Sequence, residues 1–430
     1  MSRLISSARN LPATIIGSIA VLILASVSVA MVGCDASVER FDPNLLYALS
    51  LEKTRDVPTE TATDHAAEVV AELFGTPESP RWPVEWMDDD AGSILKDPEH
   101  LNQAIGKISS DQNDQHRGLY REHCVICHGV SGSGNGPASL FQDPYPRDFR
   151  HGVFKWKSTK RGDKPTRGDL LGLLRRGIPG TSMPSYAILS NEQRDVLVDY
   201  LIYLAVRGEV ERELMTVAVD ELGYEETPAD SEVDLSLVFA GVDGRDIEAA
   251  EVIRDIVGDV VDSWREAESD IVEVPPVPRE SLRVTTGDVK TIGWTDEAIE
   301  RGRQIYEGQV ANCVGCHGKH GLADVATLDY DDWTKEYTTR IGITPSDREA
   351  VEPLRKLGAL PPRPVRPRRL ADGVFHGAGT TEAIYRQITQ GIAGSPMPAV
   401  TLTDEPSPTG LTPDQVFDLV AYVQSLADGD

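Results

Sequence analysis

Two C-x-x-C-H segments constrain this chain more than any other feature. Cys124 and Cys127 are followed by His128, and Cys313 and Cys316 are followed by His317. In such a segment the two thiols can each add to a haem vinyl group while the next residue's imidazole reaches the iron, so the motif reads as c-type haem attachment. A redox C-x-x-C of the thioredoxin kind expects a strand-helix-strand setting, which the surrounding sequence lacks. A single zinc held by all four thiols would have to bridge two distant segments and would leave both histidines without a role. The expected cofactors are two covalently bound haem c groups, each with its iron. The fifth cysteine, Cys34, has no partner, so no structural disulfide is expected.

Other landmarks repeat around the two motifs. Arg117-Gly118 and Tyr120 precede Cys124 as Arg301-Gly302 and Tyr306 precede Cys313. Gly152-Val153-Phe154 matches Gly373-Val374-Phe375, and Gly177-Ile178-Pro179-Gly180-Thr181-Ser182-Met183-Pro184 matches Gly391-Ile392-Ala393-Gly394-Ser395-Pro396-Met397-Pro398. Each copy closes on a helical pattern. Ser190 caps a helix expected over Asn191 to Ala205, and Thr412 with Pro413 at the first helical position opens one over Pro413 to Leu426. Their apolar faces are Val196, Leu197, Tyr200, Leu201 and Leu204, and Val416, Leu419, Val420, Val423 and Leu426. Met183 and Met397 stand in loops rich in Gly and Pro, where a core-filling methionine has no helix to belong to. They are the candidate sixth ligands to iron, opposite His128 and His317, and a thioether there raises the potential and suits electron transfer. His123, His151, His320 and His376 read by default as surface or haem-edge histidines, with iron ligation as the alternative.

Each copy resembles a class I cytochrome c domain. The resemblance implies a helix ending near C-x-x-C-H, a wrapping loop, a Met-Pro segment and a terminal helix crossing the first. The expected fold is therefore mainly α, with two such domains joined by an acidic, partly helical connector. The boundaries read as 1-34 for a signal or anchor, 35-104 for an acidic spacer, 105-207 for the first domain, 208-291 for the connector and 292-428 for the second domain. The arrangement is similar to the dihaem subunits of cbb3-type oxidases and to other exported dihaem cytochromes.

Arg3 and Arg9 precede an uncharged stretch from Ala13 to Gly33, long enough to span a bilayer if it is retained. Met31-Val32-Gly33-Cys34 resembles the lipobox of bacterial lipoproteins, which would make Cys34 the lipidated first residue of the mature chain. Cleavage there and an uncleaved helix both put the body outside the cytoplasm, anchored at the periplasmic face of a bacterial membrane. That body is acidic, with 69 Asp and Glu against 42 Lys and Arg, which disfavours nucleic acid as a partner. A membrane oxidase or reductase, or another redox protein, is the expected partner.

Between the copies, Glu209 to Glu273 holds 21 acids and 4 bases, yet Ile253, Ile256, Val257, Val260, Val261 and Trp264 keep helical spacing. An amphipathic helix that packs on a domain is expected there. In 35-104, Ala66, Val69, Val70, Leu73 and Phe74 predict one short helix, and Pro77, Pro80 and Pro83 predict an extended segment after it. Bases concentrate at Arg147 to Arg176, with 10 against 3 acids, and at Arg355 to Arg369, with 6 and none. Such runs are either solvated or take up haem propionates, an acidic partner or the connector. Two functions compete: electron carriage, as a free carrier or as a permanent subunit of a respiratory complex, and a dihaem peroxidase. A peroxidase needs one iron with an open position, and two equivalent Met-Pro loops argue against it.

Overall fold

The computed structural model describes residues 40-87, 94-110, 116-224, 233-239, 245-284, 292-325 and 329-428. Arg3, Arg9, the apolar stretch and Cys34 lie outside the described residues. Among the described residues no helix is long and apolar enough to cross a membrane.

The chain is mainly helical, as expected. Among the described residues the short strands form three antiparallel pairs, Gly75-Thr76 with Ser79-Pro80, Ser109-Ser110 with His116-Arg117, and Leu282-Val284 with Ile292-Trp294. The acid-rich stretch after residue 40 departs from the expected spacer. Its described residues form two long helices, α1 (Leu45–Arg55) and α2 (Glu60–Phe74), and a short one, His100–Ala104. The face of α2 read from spacing is fully buried, and Trp82, Leu95, Leu101 and Ile105 join it in the same core as the domain that carries Cys124 and Cys127. Tyr203 fixes the contact, its hydroxyl donating to the Phe74 carbonyl at 2.6 Å while the two rings meet edge to face. Surface-looking charges are consumed inside this assembly. His100 reaches Asp199 at 2.5 Å and Glu192 at 3.0 Å, and Arg167 donates to the fully buried Asp199.

Capping boxes start two further long helices, α3 (Arg167–Arg176) at Thr166 with Asp169 and α4 (Asn191–Asp220) at Ser190 with Gln193. The cap at Ser190 falls where the sequence puts it, but α4 does not end near Ala205. Arg207 and Glu211, charged residues one turn apart, form a buried ion pair, and Glu211 also accepts from the Asn44 backbone N–H. Gly208 is a packing glycine rather than a stop, since a Cβ there would come within 2.4 Å of the Arg150 backbone. Half of α4 thus runs through the region assigned to a connector. There it meets α5 (Arg245–Glu266), whose stripe of Ile253, Val257, Val261 and Trp264 is buried as its spacing predicts. Trp264 donates from Nε1 to Glu209 at 2.8 Å, Lys164 pairs with the same carboxylate, and Val272 N–H bonds the Ser158 carbonyl. The connector up to Val272 is therefore built into the first domain, with part of it along the basic segment, while Val274 and Val277 pack on the core of the second.

The second domain has its own core. Helix α6 (Asp296–Glu307) crosses α8 (Pro413–Ser425), with α7 (Thr381–Gln390) beside them. The crossing is close because Gly302 lacks a side chain: a Cβ there would lie 1.9 Å from the Asp418 carbonyl oxygen. Tyr306 packs on Tyr422 with ring centroids 5.1 Å apart, and Arg301 grips Asp418 through two bonds of 2.7 Å. In the first domain the counterpart of α6 is shortened to Leu119–His123, and Tyr120 packs on Tyr200 in the matching place.

Candidate haem sites

The first motif turns on itself in a short helix, Val125–His128, where the His128 N–H bonds the Cys124 carbonyl at 2.8 Å. Both thiols and the imidazole therefore belong to one tight turn. Gly129 ends that turn at φ 73°, a backbone state that disfavours side chains, and its carbonyl accepts from the Tyr120 hydroxyl at 2.9 Å. His128 Nδ1 lies 3.1 Å from the Arg147 carbonyl. A carbonyl only accepts, so Nδ1 carries the proton and Nε2 keeps its lone pair. Phe149 stacks on the ring at 4.5 Å and 18°, which fixes its plane. Burial holds the imidazole neutral, with its pKa lowered to about 4.

The second motif repeats this bond for bond. His317 N–H bonds the Cys313 carbonyl at 2.8 Å, Nδ1 lies 2.9 Å from the Arg368 carbonyl, Gly318 sits at φ 71°, and Tyr306 donates to its carbonyl at 3.0 Å. Burial lowers the His317 pKa as well, and pushes the Cys124 and Cys313 thiols up to about 12 and about 11. Among the described residues no hydrogen bond engages Nε2 of either histidine. Two thiols on one turn beside an imidazole with a free Nε2 are the donor set that haem c requires. Cys124, Cys127 and His128 would hold one group and Cys313, Cys316 and His317 the other.

The methionine loops are equally matched. Ile178 N–H bonds the Met183 carbonyl at 3.1 Å, and Ile392 N–H bonds the Met397 carbonyl at 3.2 Å. Thr181 and Ser395 play one part, each donating its hydroxyl to the carbonyl three residues back and accepting from the methionine N–H. Gly177 and Gly391 both sit at φ 68°, where a Cβ would also strike the backbone after the methionine. In the first domain Tyr186 ties the loop to the motif, its hydroxyl donating to the His123 carbonyl at 2.8 Å. Met183 and Met397 are both partly buried.

Both loops lie on the boundary between the domains. Arg161 of the first domain donates to the carbonyls of Met397 at 2.7 Å and Ser395 at 3.0 Å. In return, the Arg368 guanidinium of the second domain presses on Gly180. Of the alternative histidines, His151 faces Asp148 and Glu336, His376 bonds Arg368, His123 packs on Tyr186, and His320 is exposed at φ 56°. Phe149 escaped the sequence reading, and Arg147, Arg161 and Arg368 figured in it only as members of the two basic runs. The dipeptides Pro146-Arg147 and Pro367-Arg368, just upstream of the matched Gly-Val-Phe segments, were the available signal for the two carbonyls.

The family model described as cytochrome c matches residues 117-205 and 299-427, together just over half of the chain. No curated protein matches it. Among solved structures, it is similar to a chain of the Kuenenia stuttgartiensis reducing HAO-like protein complex Kustc0457/Kustc0458. Identity is 23% over 72% of this chain and 94% of that one, with a TM-score of 0.41.

Proposed function

Because the chain belongs to the cytochrome c family and carries two covalently bound haem c groups, we propose that it is an exported, membrane-tethered carrier passing single electrons to or from a membrane oxidoreductase. One observation carries this reading: the imidazole clamp and the methionine loop recur in the same hydrogen-bonded form in both domains. Iron held between imidazole and thioether exchanges single electrons and leaves no position open for substrate. The chain's own part is to fix ring tautomer and plane through Arg147, Arg368 and Phe149, and to hold Met183 and Met397 as sixth ligands. The tether rests on Arg3, Arg9, the apolar stretch and Cys34, with Cys34 as the lipidated residue.

Spectra of the reduced holoprotein with and without carbon monoxide test the redox reading. Two closed sites leave the spectrum unchanged, whereas carbon monoxide binding at one native haem overturns the reading in favour of a dihaem peroxidase. Mass spectrometry of the mature N-terminus tests the tether: a diacylglyceryl Cys34 supports the lipoprotein, and an intact Met31-Val32-Gly33 establishes an uncleaved helix.

A further inference from the structure

The basic run from Arg355 to Arg369 is not used up inside the molecule. Arg368 turns inward to the Val374 carbonyl and His376, and Arg369 pairs with Asp372. The other bases lie along the first domain. Arg363 donates to the Gln142 carbonyl at 2.5 Å and stands over the Tyr145 ring. Tyr145 donates to the Pro361 carbonyl at 3.1 Å, and Asn135 to that of Gly358 at 2.9 Å. Arg355 reaches Glu352 at 3.7 Å and Arg363 reaches Asp143 at 3.9 Å, whereas the exposed Lys356 and Arg366 form no ion pair among the described residues. Pro361, Pro362, Pro364 and Pro367 stiffen the strip that carries these cations.

The strip frames an apolar rim. Gly136 N–H and the Ser139 hydroxyl bond the Cys127 carbonyl at 3.0 and 2.7 Å, and Ala138 N–H bonds that of Ile126 at 2.8 Å. These bonds seat the helical turn Ser139–Phe141 on the segment that would hold the first haem. Ile126, Leu140 and Phe141 leave 53%, 46% and 85% of their surface in solvent. One exposed apolar residue is ordinary, but three on one attachment turn form a patch, and an apolar centre edged by cations is the anatomy of a protein interface. The second motif has Gly315 where the first has Ile126. On a chain with 69 acids and 42 bases, uncovered cations beside the first motif select an acidic surface. A lipid headgroup layer would meet the same cations, but it gives no reason for an apolar patch on a haem attachment turn.

We propose that Ile126, Leu140 and Phe141, framed by Lys356, Arg363 and Arg366 of the second domain, form the docking surface for an acidic one-electron redox protein, with the first haem as the port. The proposal rests on the electron-carrier reading and adds which haem faces the partner and what charge that partner bears.

Flavodoxin hydroquinone, an acidic one-electron donor, is the probe, mixed with ferric holoprotein by stopped flow over a range of ionic strength. Phe141→Ser removes apolar contact, and Lys356→Glu with Arg366→Glu reverses the frame. Lys160→Glu with Arg279→Glu, at two exposed bases outside the strip, carries the same charge change and is the control. Haem content and midpoint potentials are measured first, so that a slower rate is not a smaller driving force. The reversed frame should slow transfer about tenfold or more at low ionic strength and flatten its salt dependence. Phe141→Ser should slow it at every ionic strength, and carbodiimide should join probe carboxylates to Lys356. Rates in either variant that match the control overturn the proposal, as do cross-links that bypass Lys356 for Lys319 beside the second motif. Loss of binding to phosphatidylglycerol vesicles in the reversed frame, with electron transfer as in the control, overturns it in favour of a membrane surface. Carbon monoxide binding by the native protein sinks the carrier reading by itself, and the docking surface is still judged by these rates and cross-links.

Discussion

Replacing Gly302 by alanine sets two effects of opposite sign against each other. Alanine inside α6 gains helix propensity worth about 1 kcal/mol over glycine. Its methyl carbon, however, would sit 1.9 Å from the Asp418 carbonyl oxygen and 2.8 Å from Tyr422 Cβ. Ordinary carbon contacts begin near roughly 3.5 Å, so α6 and α8 must part by more than about 1 Å at the crossing, forfeiting up to about half of each dispersion contact there. The Tyr306–Tyr422 contact and the bidentate Arg301–Asp418 pair both span that gap. Overpacking of this kind costs typically about 1–3 kcal/mol and sometimes more. Against backbone atoms that cannot swing aside it exceeds the propensity gain, and the expected net loss is about 1–3 kcal/mol. Gly258 supplies the control, because it lies within α5 with nothing within 4 Å of an added Cβ. Gly258→Ala should stabilise by roughly 0.5–1 kcal/mol. Thermal and guanidinium unfolding of the two holoproteins, followed by circular dichroism, should move in opposite directions. Movement of both midpoints upward would refute the claim that α6 and α8 touch backbone to backbone at Gly302.

Met183→His should lower the potential of one haem and leave the other nearly unchanged, because nitrogen replaces a thioether that favours ferrous iron, and Met397→His should do the same to the other; two unmoved potentials in redox titration would remove both ligand assignments. Arg161→Ala deletes charge-assisted bonds to the Met397 and Ser395 carbonyls, worth about 1.5–3 kcal/mol to that loop. The second haem should then lose part of its ferric methionine–iron band and begin to bind carbon monoxide, while the first does neither. Burial alone would raise the Asp148 carboxyl, but Arg150 and His151 outweigh it and hold it well below its usual 3.8. Stability from that carboxylate is present above pH 3.8 and lost as pH falls below it. Asp148→Asn should cost about 3 kcal/mol near neutrality by stranding Arg150, and should flatten the acid limb of the stability profile.

The haem sites were largely legible because covalent attachment demands fixed residue types at fixed spacing. The two motifs, the two methionine loops and the caps at Ser190 and Thr412 are local chemistry, and local chemistry survives in a linear string. What escaped the reading depends on partners far along the chain. Arg207 and Glu211 look like solvated charges until they are seen paired inside α4, and Glu209 looks like the start of an acidic linker until Lys164 and Trp264 take it. The helix of 35-104 was readable from Ala66, Val69, Val70 and Leu73, but apolar spacing does not say which surface receives it, so the segment passed for a spacer. Trp333 lies outside the repeat, and only the fold brings it to Arg147.

The unbroken course of α4 past Gly208 also bears on how such a chain can be reshuffled. Tandem haem domains invite the exchange of halves by recombination, and the last repeated landmark, near Arg207, marks the obvious breakpoint. A crossover there would sever a helix in mid-span, separating Arg207 from Glu211 and removing the support on which α5 rests. The first haem domain can be inherited only together with its acidic flanks, as one block from about residue 40 to Val272, whose N–H bonds the Ser158 carbonyl. The second, whose terminal helices close on each other around a core of their own, could be traded only between partners that supply Arg161 and Arg212 to its Met397 loop and Glu336.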